Sequence, residues 1–328
     1  MSGPRILLTG ARGQLGFALF PALRVLGEVL PATRDGRLPG GREGIALDLA
    51  EAPARLKAAL DRLAPRLIVN AAAYTAVDRA EEEPALARRV NAEAPAALAE
   101  WAEEHGALLI HFSTDYVFDG LSLALPWREE DPTGPLNAYG RSKLAGEEAV
   151  RGICRRHLIL RSSWLYGPRG HNFLRTILAR AARGDALRVV DDQVGSPTSV
   201  AVLAAATAQI LARLVATDFP AAAMGTYHLA CAGQASWYHF AEAILEEALR
   251  AGLLAQRPPL APIATRDWPA KAERPAWSVL DGRKAEAVFG LRLPHWRVAL
   301  ADTITELAEA ARAGAFLLLE KPPCPSSP

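Results

Sequence analysis

The 328-residue sequence holds only three cysteines, Cys154, Cys231 and Cys324, odd in number and far apart. That excludes a disulfide-stapled scaffold and a cysteine-built zinc site, and the three read as free thiols. No run approaches the roughly 20 apolar residues of a membrane span, and residues 1–8 lack the apolar core of a signal peptide. A cytoplasmic protein is the expectation. Net charge is missing too: 37 Lys and Arg against 36 Asp and Glu leave +1, so no global field draws in nucleic acid or an acidic membrane. Any anionic ligand must be met by local groups. His105, His111, His157, His171, His228, His239 and His295 are scattered without ligand spacing, which argues against a metalloenzyme and predicts no metal site. No internal repeat is present.

What is there is a chain with 50% apolar and 22% charged residues, enough to bury a sizeable core. Short apolar runs at 5–9, 28–33, 66–70, 107–113 and 157–162 alternate with amphipathic stretches at 54–63, 85–105 and 138–155. This alternation predicts an α/β fold, a doubly wound parallel sheet with crossover helices on its faces. Pro95 predicts a kink in the second helix. Beyond 165 the alternation fades: helices are expected at 172–183, 200–215 and 236–251, with short strands at 187–190 and 226–229. A smaller mixed α/β lobe is the expectation there. The proline-rich stretch 257–275 predicts irregular chain, and 296–312 a last helix before a tail.

The run Thr9-Gly10-Ala11-Arg12-Gly13-Gln14-Leu15-Gly16 follows the first strand and opens the first helix. Gly10 permits the turn, Gly13 close approach of a pyrophosphate, and Gly16 close helix packing, so the segment through Gln14 and Leu15 reads as a dinucleotide cradle. Where a carboxylate would bind a free ribose 2'-hydroxyl, the second strand ends in Thr33-Arg34, and Arg12 adds another cation. Charge complementarity therefore favours NADPH, with NADH possible. Asp48-Leu49 reads either as an adenine contact or as a helix cap, and Ala71, Ala72 and Ala73 leave room for a flat cofactor. The domain expectation is a dinucleotide-binding domain over 1–165 to which about 196–230 return, a substrate lobe from 166–195 and 231–300, and a helix and tail over 301–328.

Tyr139 and Lys143 lie four apart at the start of a predicted helix, so phenol and ammonium share a face. A nearby lysine favours the phenolate and makes the phenol a better acid. Ser113-Thr114-Asp115-Tyr116 closes the fourth long strand, where open α/β sheets bind ligands, and Thr114 is placed to orient a carbonyl. Glycine turn, Ser-Thr and Tyr-x-x-x-Lys in that order resemble the extended short-chain dehydrogenase/reductase family. The resemblance implies catalytic roles for Thr114, Tyr139 and Lys143, and cofactor contacts from Ser113, Tyr139 and Lys143.

The motifs beginning at Asn70, Ser113, Pro135, Arg161, Asn172, Asp192, Gly225, Ser236 and Arg274 look like the branch of that family that reduces a nucleotide-linked 4-keto-6-deoxyhexose at C4. That implies dTDP-4-dehydro-L-rhamnose as nucleotide-sugar substrate and dTDP-L-rhamnose as product. It also implies sugar contacts from Thr75, Val77, Tyr116 and Trp164, beside Thr114. Asn172, Gln193 and Arg274 are further substrate candidates, although Gln193 and Arg274 read equally well as partners of loop carbonyls. Trp164 and Trp237, without the resemblance, read as packing aromatics. Tyr116 stands where related dehydratases carry a glutamate, which favours plain reduction. Gly16-Phe17-Ala18 and Pro197-Thr198-Ser199-Val200-Ala201 offer none of the carboxylates through which some relatives dimerise around magnesium. A monomer or a metal-independent homodimer is expected. The acidic run 81–83 reads as a solvated helix start. Two rival readings stay open: a non-catalytic subunit with a reductase fold, and an epimerase or dehydratase of a related nucleotide sugar.

Overall fold

A computed structural model of the chain describes residues 3–121 and 125–314; Cys324 and the expected tail lie outside them. In chain order the first half comprises β1 (Arg5–Thr9), α1 (Gln14–Leu23), β2 (Glu28–Thr33), β3 (Ile45–Ala46), α2 (Pro53–Leu63), β4 (Leu67–Asn70), α3 (Val77–Glu82), α4 (Pro84–Arg88), α5 (Ala94–His105), β5 (Leu108–Thr114), α6 (Ala138–Ile153) and β6 (His157–Ser162). The second half adds β7 (Leu165–Tyr166), α7 (Phe173–Ala182), β8 (Leu187–Val190), β9 (Val194–Gly195), β10 (Thr198–Ser199), α8 (Val200–Ala216), β11 (Gly225–His228), β12 (Ala235–Ser236), α9 (Trp237–Arg250), β13 (Leu260–Ile263), α10 (Arg283–Phe289) and α11 (Trp296–Arg312).

Seven strands form one parallel sheet in the order β11-β6-β5-β4-β1-β2-β3. The apolar runs that predicted strands are buried on both faces: β4, β5 and β6 have no exposed residue, as expected for a sheet covered on both sides. One face packs against α1 and α8 through Leu15, Leu19, Leu203 and Ile210. The other packs against α2, α5 and α6 through Leu56, Leu98 and Val150. Strand order reverses between β1 and β4, and the crevice at such a switch point is where doubly wound sheets bind ligands.

The expected helix over 85–105 is split. Pro95 sits in the first turn of α5, where its missing N–H costs nothing, and a π turn over Arg89–Glu93 precedes it. The extra residue of that turn aims Asn91 at α6: its side chain donates to Ser142 Oγ at 2.9 Å and to the Tyr74 carbonyl at 3.0 Å. A Cβ at Gly146 would lie 2.0 Å from the Asn91 carbonyl oxygen, so glycine permits this approach.

Beside the sheet, α7, α9 and α11 enclose a separate apolar cluster that includes Leu178, Ile244 and Leu300. The proline-rich stretch is less irregular than its composition predicts. Its residues Leu260–Ile263 pair in parallel with β8, and an edge strand tolerates Pro262 because only one side needs ladder donors.

Arg161 on β6 and Glu147 on α6 form a two-pronged ion pair at 2.9 and 2.7 Å, with 2% and 0% of their side chains exposed. The guanidinium also lies 5.1 Å from the Phe118 ring centroid. Glu147→Ala leaves a buried arginine without its partner, so denaturant unfolding is expected to show a loss of about 3–5 kcal/mol.

Candidate active site

The turn after β1 is built by contact with the turn after β4. Gly10 has φ of 67°, and a Cβ on it would meet the Ala72 nitrogen at 2.7 Å, so glycine is required by both conformation and space. A Cβ at Gly16 would lie 2.1 Å from the Gly10 carbonyl oxygen, whereas one at Gly13 meets only that oxygen, at 3.2 Å. Gly13 caps α1 without a side-chain hydrogen bond, which leaves the positive end of the helix available to an anion. Leu15 is buried in the core, and Gln14 reaches the Leu165 carbonyl at 3.5 Å. Ala71, Ala72 and Ala73 are partly buried beside this turn.

The cations expected beside it are not equivalent. Arg34 is exposed, but Arg12 is paired with Asp35 at 3.2 Å, a carboxylate two residues past the end of β2. The Arg37 amide, Arg12 and Thr33 hold the Asp35 carboxyl below its ordinary range. Sequence reasoning stopped at Arg34 and missed it. The signal was present, since an acidic residue just after the second strand is the usual ribose partner. Asp48 accepts from the Ala50 amide at 2.9 Å and Leu49 packs into the core.

The catalytic candidates meet at the end of β5. Asn137 caps α6 by accepting from the Gly140 amide at 2.8 Å, and its amino group donates to the Glu273 carbonyl at 2.8 Å. The first turn of α6 is thereby fixed, and with it Tyr139. Burial pushes the Tyr139 phenol up to about 12, the Thr114 hydroxyl beside it opposes this, and Asp115 adds to it. Thr114 donates to Asp115 at 3.0 Å. Asp115 is itself buried, raised by burial to about 6 against hydrogen bonds from Ser278, Ser163 and Thr114. Lys143 donates to the Phe112 carbonyl at 2.7 Å and lies 3.3 Å from His111 Nε2. Burial lowers Lys143 to about 8, while Glu147 pulls it back upward. Its ammonium is thereby held at β5, while the residue itself lies one helical turn from Tyr139 on α6. Ser113 is buried, and its hydroxyl is without a hydrogen-bond partner among the described residues. An orphaned hydroxyl at the end of β5, two strands from the glycine turn in the same sheet, fits a dinucleotide.

The substrate candidates are divided. Tyr116 stacks edge-on against Tyr139, with centroids 5.9 Å apart, and Arg274 lies against it. Arg274 also donates to Asp78 at 2.9 Å. Thr75 is exposed and Val77, in the first turn of α3, is partly buried on the segment that leads to Asp78. Gln193 is buried and donates to Thr265 Oγ1 at 3.0 Å. Asn172 is occupied in capping α7, accepting from the Arg175 amide at 3.1 Å and donating to the Gly167 and Arg169 carbonyls at 3.0 Å. Trp164, at φ of 48°, stacks on Trp237 with ring centroids 3.4 Å apart. Gly195 makes room for its indole.

The acidic run 81–83 lies at the surface as expected, but it closes α3 rather than opening a helix, and its carboxylates are partnered. Glu81 accepts from the Ala138 amide at 2.7 Å, Glu83 from Tyr74 at 2.7 Å, and Glu82 pairs with Lys271. The run is adjacent to distant segments that only the fold brings to it. Among the described residues no group of three or more His, Cys, Asp or Glu is placed to hold a metal ion, and no helix is long and apolar enough to cross a membrane.

Comparison with known proteins agrees with this arrangement. The family description "RmlD substrate binding domain" matches residues 4–309. A protein of Burkholderia thailandensis named dTDP-4-dehydrorhamnose reductase is 42% identical over 308 residues, 92% of this chain and 99% of that one. The protein of the same name from Escherichia coli K12 is 41% identical, covering 92% and 97%. The crystal structure of dTDP-4-dehydrorhamnose reductase from Bacillus anthracis in complex with NADP superposes with a TM-score of 0.82 at 32% identity, covering 93% of this chain and all of that one. With its glycine turn, its Thr114-Tyr139-Lys143 cluster and this similarity over nearly its whole length, the chain belongs to the dTDP-4-dehydrorhamnose reductase family.

Proposed function

We propose that the chain reduces the C4 carbonyl of dTDP-4-dehydro-L-rhamnose to the alcohol of dTDP-L-rhamnose, with NADPH as the preferred donor. The observation that carries this is the meeting of Thr114, Tyr139 and Lys143 at the end of β5, next to the crevice between β1 and β4. The bound dinucleotide supplies a hydride to the sugar C4. Tyr139 gives its phenolic proton to the carbonyl oxygen, Thr114 orients that oxygen, and Lys143 supports the phenolate that remains until it regains a proton from water. Gly10, Gly13, Gly16 and the α1 N-terminus cradle the pyrophosphate, Arg12 and Arg34 meet the 2'-phosphate, and Asp48, Ala71–Ala73 and Ser113 border the rest. Tyr116, Thr75, Val77, Trp164, Gln193 and Arg274 face the nucleotide sugar. With Tyr116 in place of a carboxylate, the site has no group there to drive dehydration.

On the same reading, residues 1–165 with 196–230 hold the dinucleotide, and 166–195 with 231–300 hold the sugar. The reaction runs in the cytoplasm, where reduced dinucleotide is maintained, and the chain works as a monomer or a metal-independent homodimer.

Purified protein given NADPH and dTDP-4-dehydro-L-rhamnose is expected to consume reduced cofactor and form dTDP-L-rhamnose in equal amounts; absence of both rejects the assignment. Tyr139→Phe should cut kcat by at least about 100-fold, the scale of a lost general acid, while NADPH binding by fluorescence titration stays unchanged. Asp35→Asn releases Arg12 and removes a negative charge, so the ratio of NADPH to NADH affinity should rise about two- to fivefold, the scale of an exposed ion pair. Asp115 holds its proton more tightly folded than unfolded, so its contribution is fully present below pH about 4 and is lost by pH about 6. Asp115→Asn escapes that loss, and its stability relative to the parent should improve by roughly 3 kcal/mol between pH 4 and 7 in denaturant titrations.

A further inference from the structure

A buried polar chain runs from the glycine turn to Lys143 across three neighbouring strands. Thr9 at the end of β1 donates its hydroxyl to Asn70 Oδ1 at 2.6 Å and accepts from the Ala72 amide at 3.4 Å. Asn70 at the end of β4 then has its amino group 3.1 Å from His111 Nδ1. On the far side of the ring, Nε2 lies 3.3 Å from Lys143 Nζ. Thr9, Asn70, His111 and Lys143 are all buried, so water does not screen or replace these contacts. The reduction uses no imidazole, which leaves His111 a fully buried titratable group without a task.

Donors and acceptors in such a chain must alternate. An Asn70 amino group aimed at Nδ1 makes Nδ1 the acceptor, which leaves the proton of a neutral ring on Nε2. An Nε2–H opposite Nζ suits an uncharged amine and opposes an ammonium, which has only donors. For Lys143 to carry its charge, Nε2 must accept, the proton must sit on Nδ1, and the Asn70 amide must turn to offer its oxygen. Thr9 can accept from the turned amide. The chain therefore has two consistent polarities, one for each charge state of the lysine.

We propose that His111 is a positioning residue which, oriented by Asn70 and Thr9, ties the charge on Lys143 to its own tautomer. Burial and Lys143 both hold the imidazole well below its ordinary range, so the ring stays neutral and changes only in which nitrogen bears hydrogen. The other ionisable group acting on Lys143 is Glu147 of α6, and Tyr139 lies one turn before Lys143 on the same helix. Arg161 of β6 and Arg151 of α6 bind Glu147. The effect on turnover rests on the reading of Lys143 as support for the Tyr139 phenolate; the coupling itself does not.

The spectroscopic arms of the test need neither substrate nor cofactor. With nitrogen-15 histidine, two-bond proton couplings distinguish the two tautomers. With carbon-13 lysine, the five lysines of the chain give few enough signals for Lys143 to be assigned by its loss in Lys143→Met. As pH rises through the Lys143 titration, His111 should pass from Nδ1–H to Nε2–H with the same midpoint. A tautomer that stays fixed across that titration overturns the proposal. Asn70→Asp keeps the shape and, when ionised, can only accept, so it should lock Nδ1–H and raise the Lys143 midpoint by about one pH unit, a tenfold change in the ionisation constant. The Lys143-dependent limb of the kcat profile should move the same way. In a His111→Phe background that shift should fall by more than half; an equal shift in both backgrounds means a bare field effect and overturns the proposal. If the spectroscopic arms hold and the kcat profile does not move, the coupling stands and the role of Lys143 in turnover is what fails.

Discussion

The site depends on where α6 sits, and α6 is held by the buried Arg161–Glu147 pair. Tyr139 and Lys143 share this helix, so any tilt moves acid and amine together away from Thr114. Two charges with 2% and 0% exposure are costly to desolvate and return that cost only in good geometry, which is why the pair fixes one position rather than merely adding attraction. Around it, the Asn91 side chain grips the middle of the helix and Asn137 its first turn. Three independent anchors at three levels leave little rotational freedom, and preorganisation of this kind is what proton transfer requires.

A second constraint couples the remote segment 271–275 to the same helix. Ala272 donates to Asp78, Arg274 pairs with Asp78, and the Glu273 carbonyl accepts from Asn137. Gly120, at φ of 75°, packs against Pro275. The substrate candidates Tyr116 and Arg274 are thus brought together by contacts that also cap α6. Positions far apart in sequence hold each other, and the cleft between them is a property of the assembled fold.

Much of this architecture was legible in the chain. β1, β2, β6 and β8 begin and end where their apolar runs do, most plainly at β6, which is buried throughout, whereas β2 and β8 keep exposed residues. The glycine turn and the Tyr139–Lys143 spacing are local patterns, and both read correctly for position. What escaped was non-local. Nothing near Glu81 tells that it will meet the Ala138 amide, and nothing near Arg12 tells that Asp35 will face it across the turn. The π turn ahead of Pro95 and the pairing of residues 260–263 with β8 likewise depend on partners brought by the fold. Lys143 is the sharpest case: helical spacing put it on the face of Tyr139, but not the carbonyl of Phe112 or the ring of His111 that its ammonium reaches.

Trp164 and Trp237 lie face to face at 3.4 Å, with planes 3° from parallel. Two indoles in that geometry share their electronic excitations, so they behave optically as one coupled chromophore. It joins the loop after β6 to the first residue of α9. The protein thus carries a label-free optical gauge, readable by circular dichroism, of how those two segments sit against each other.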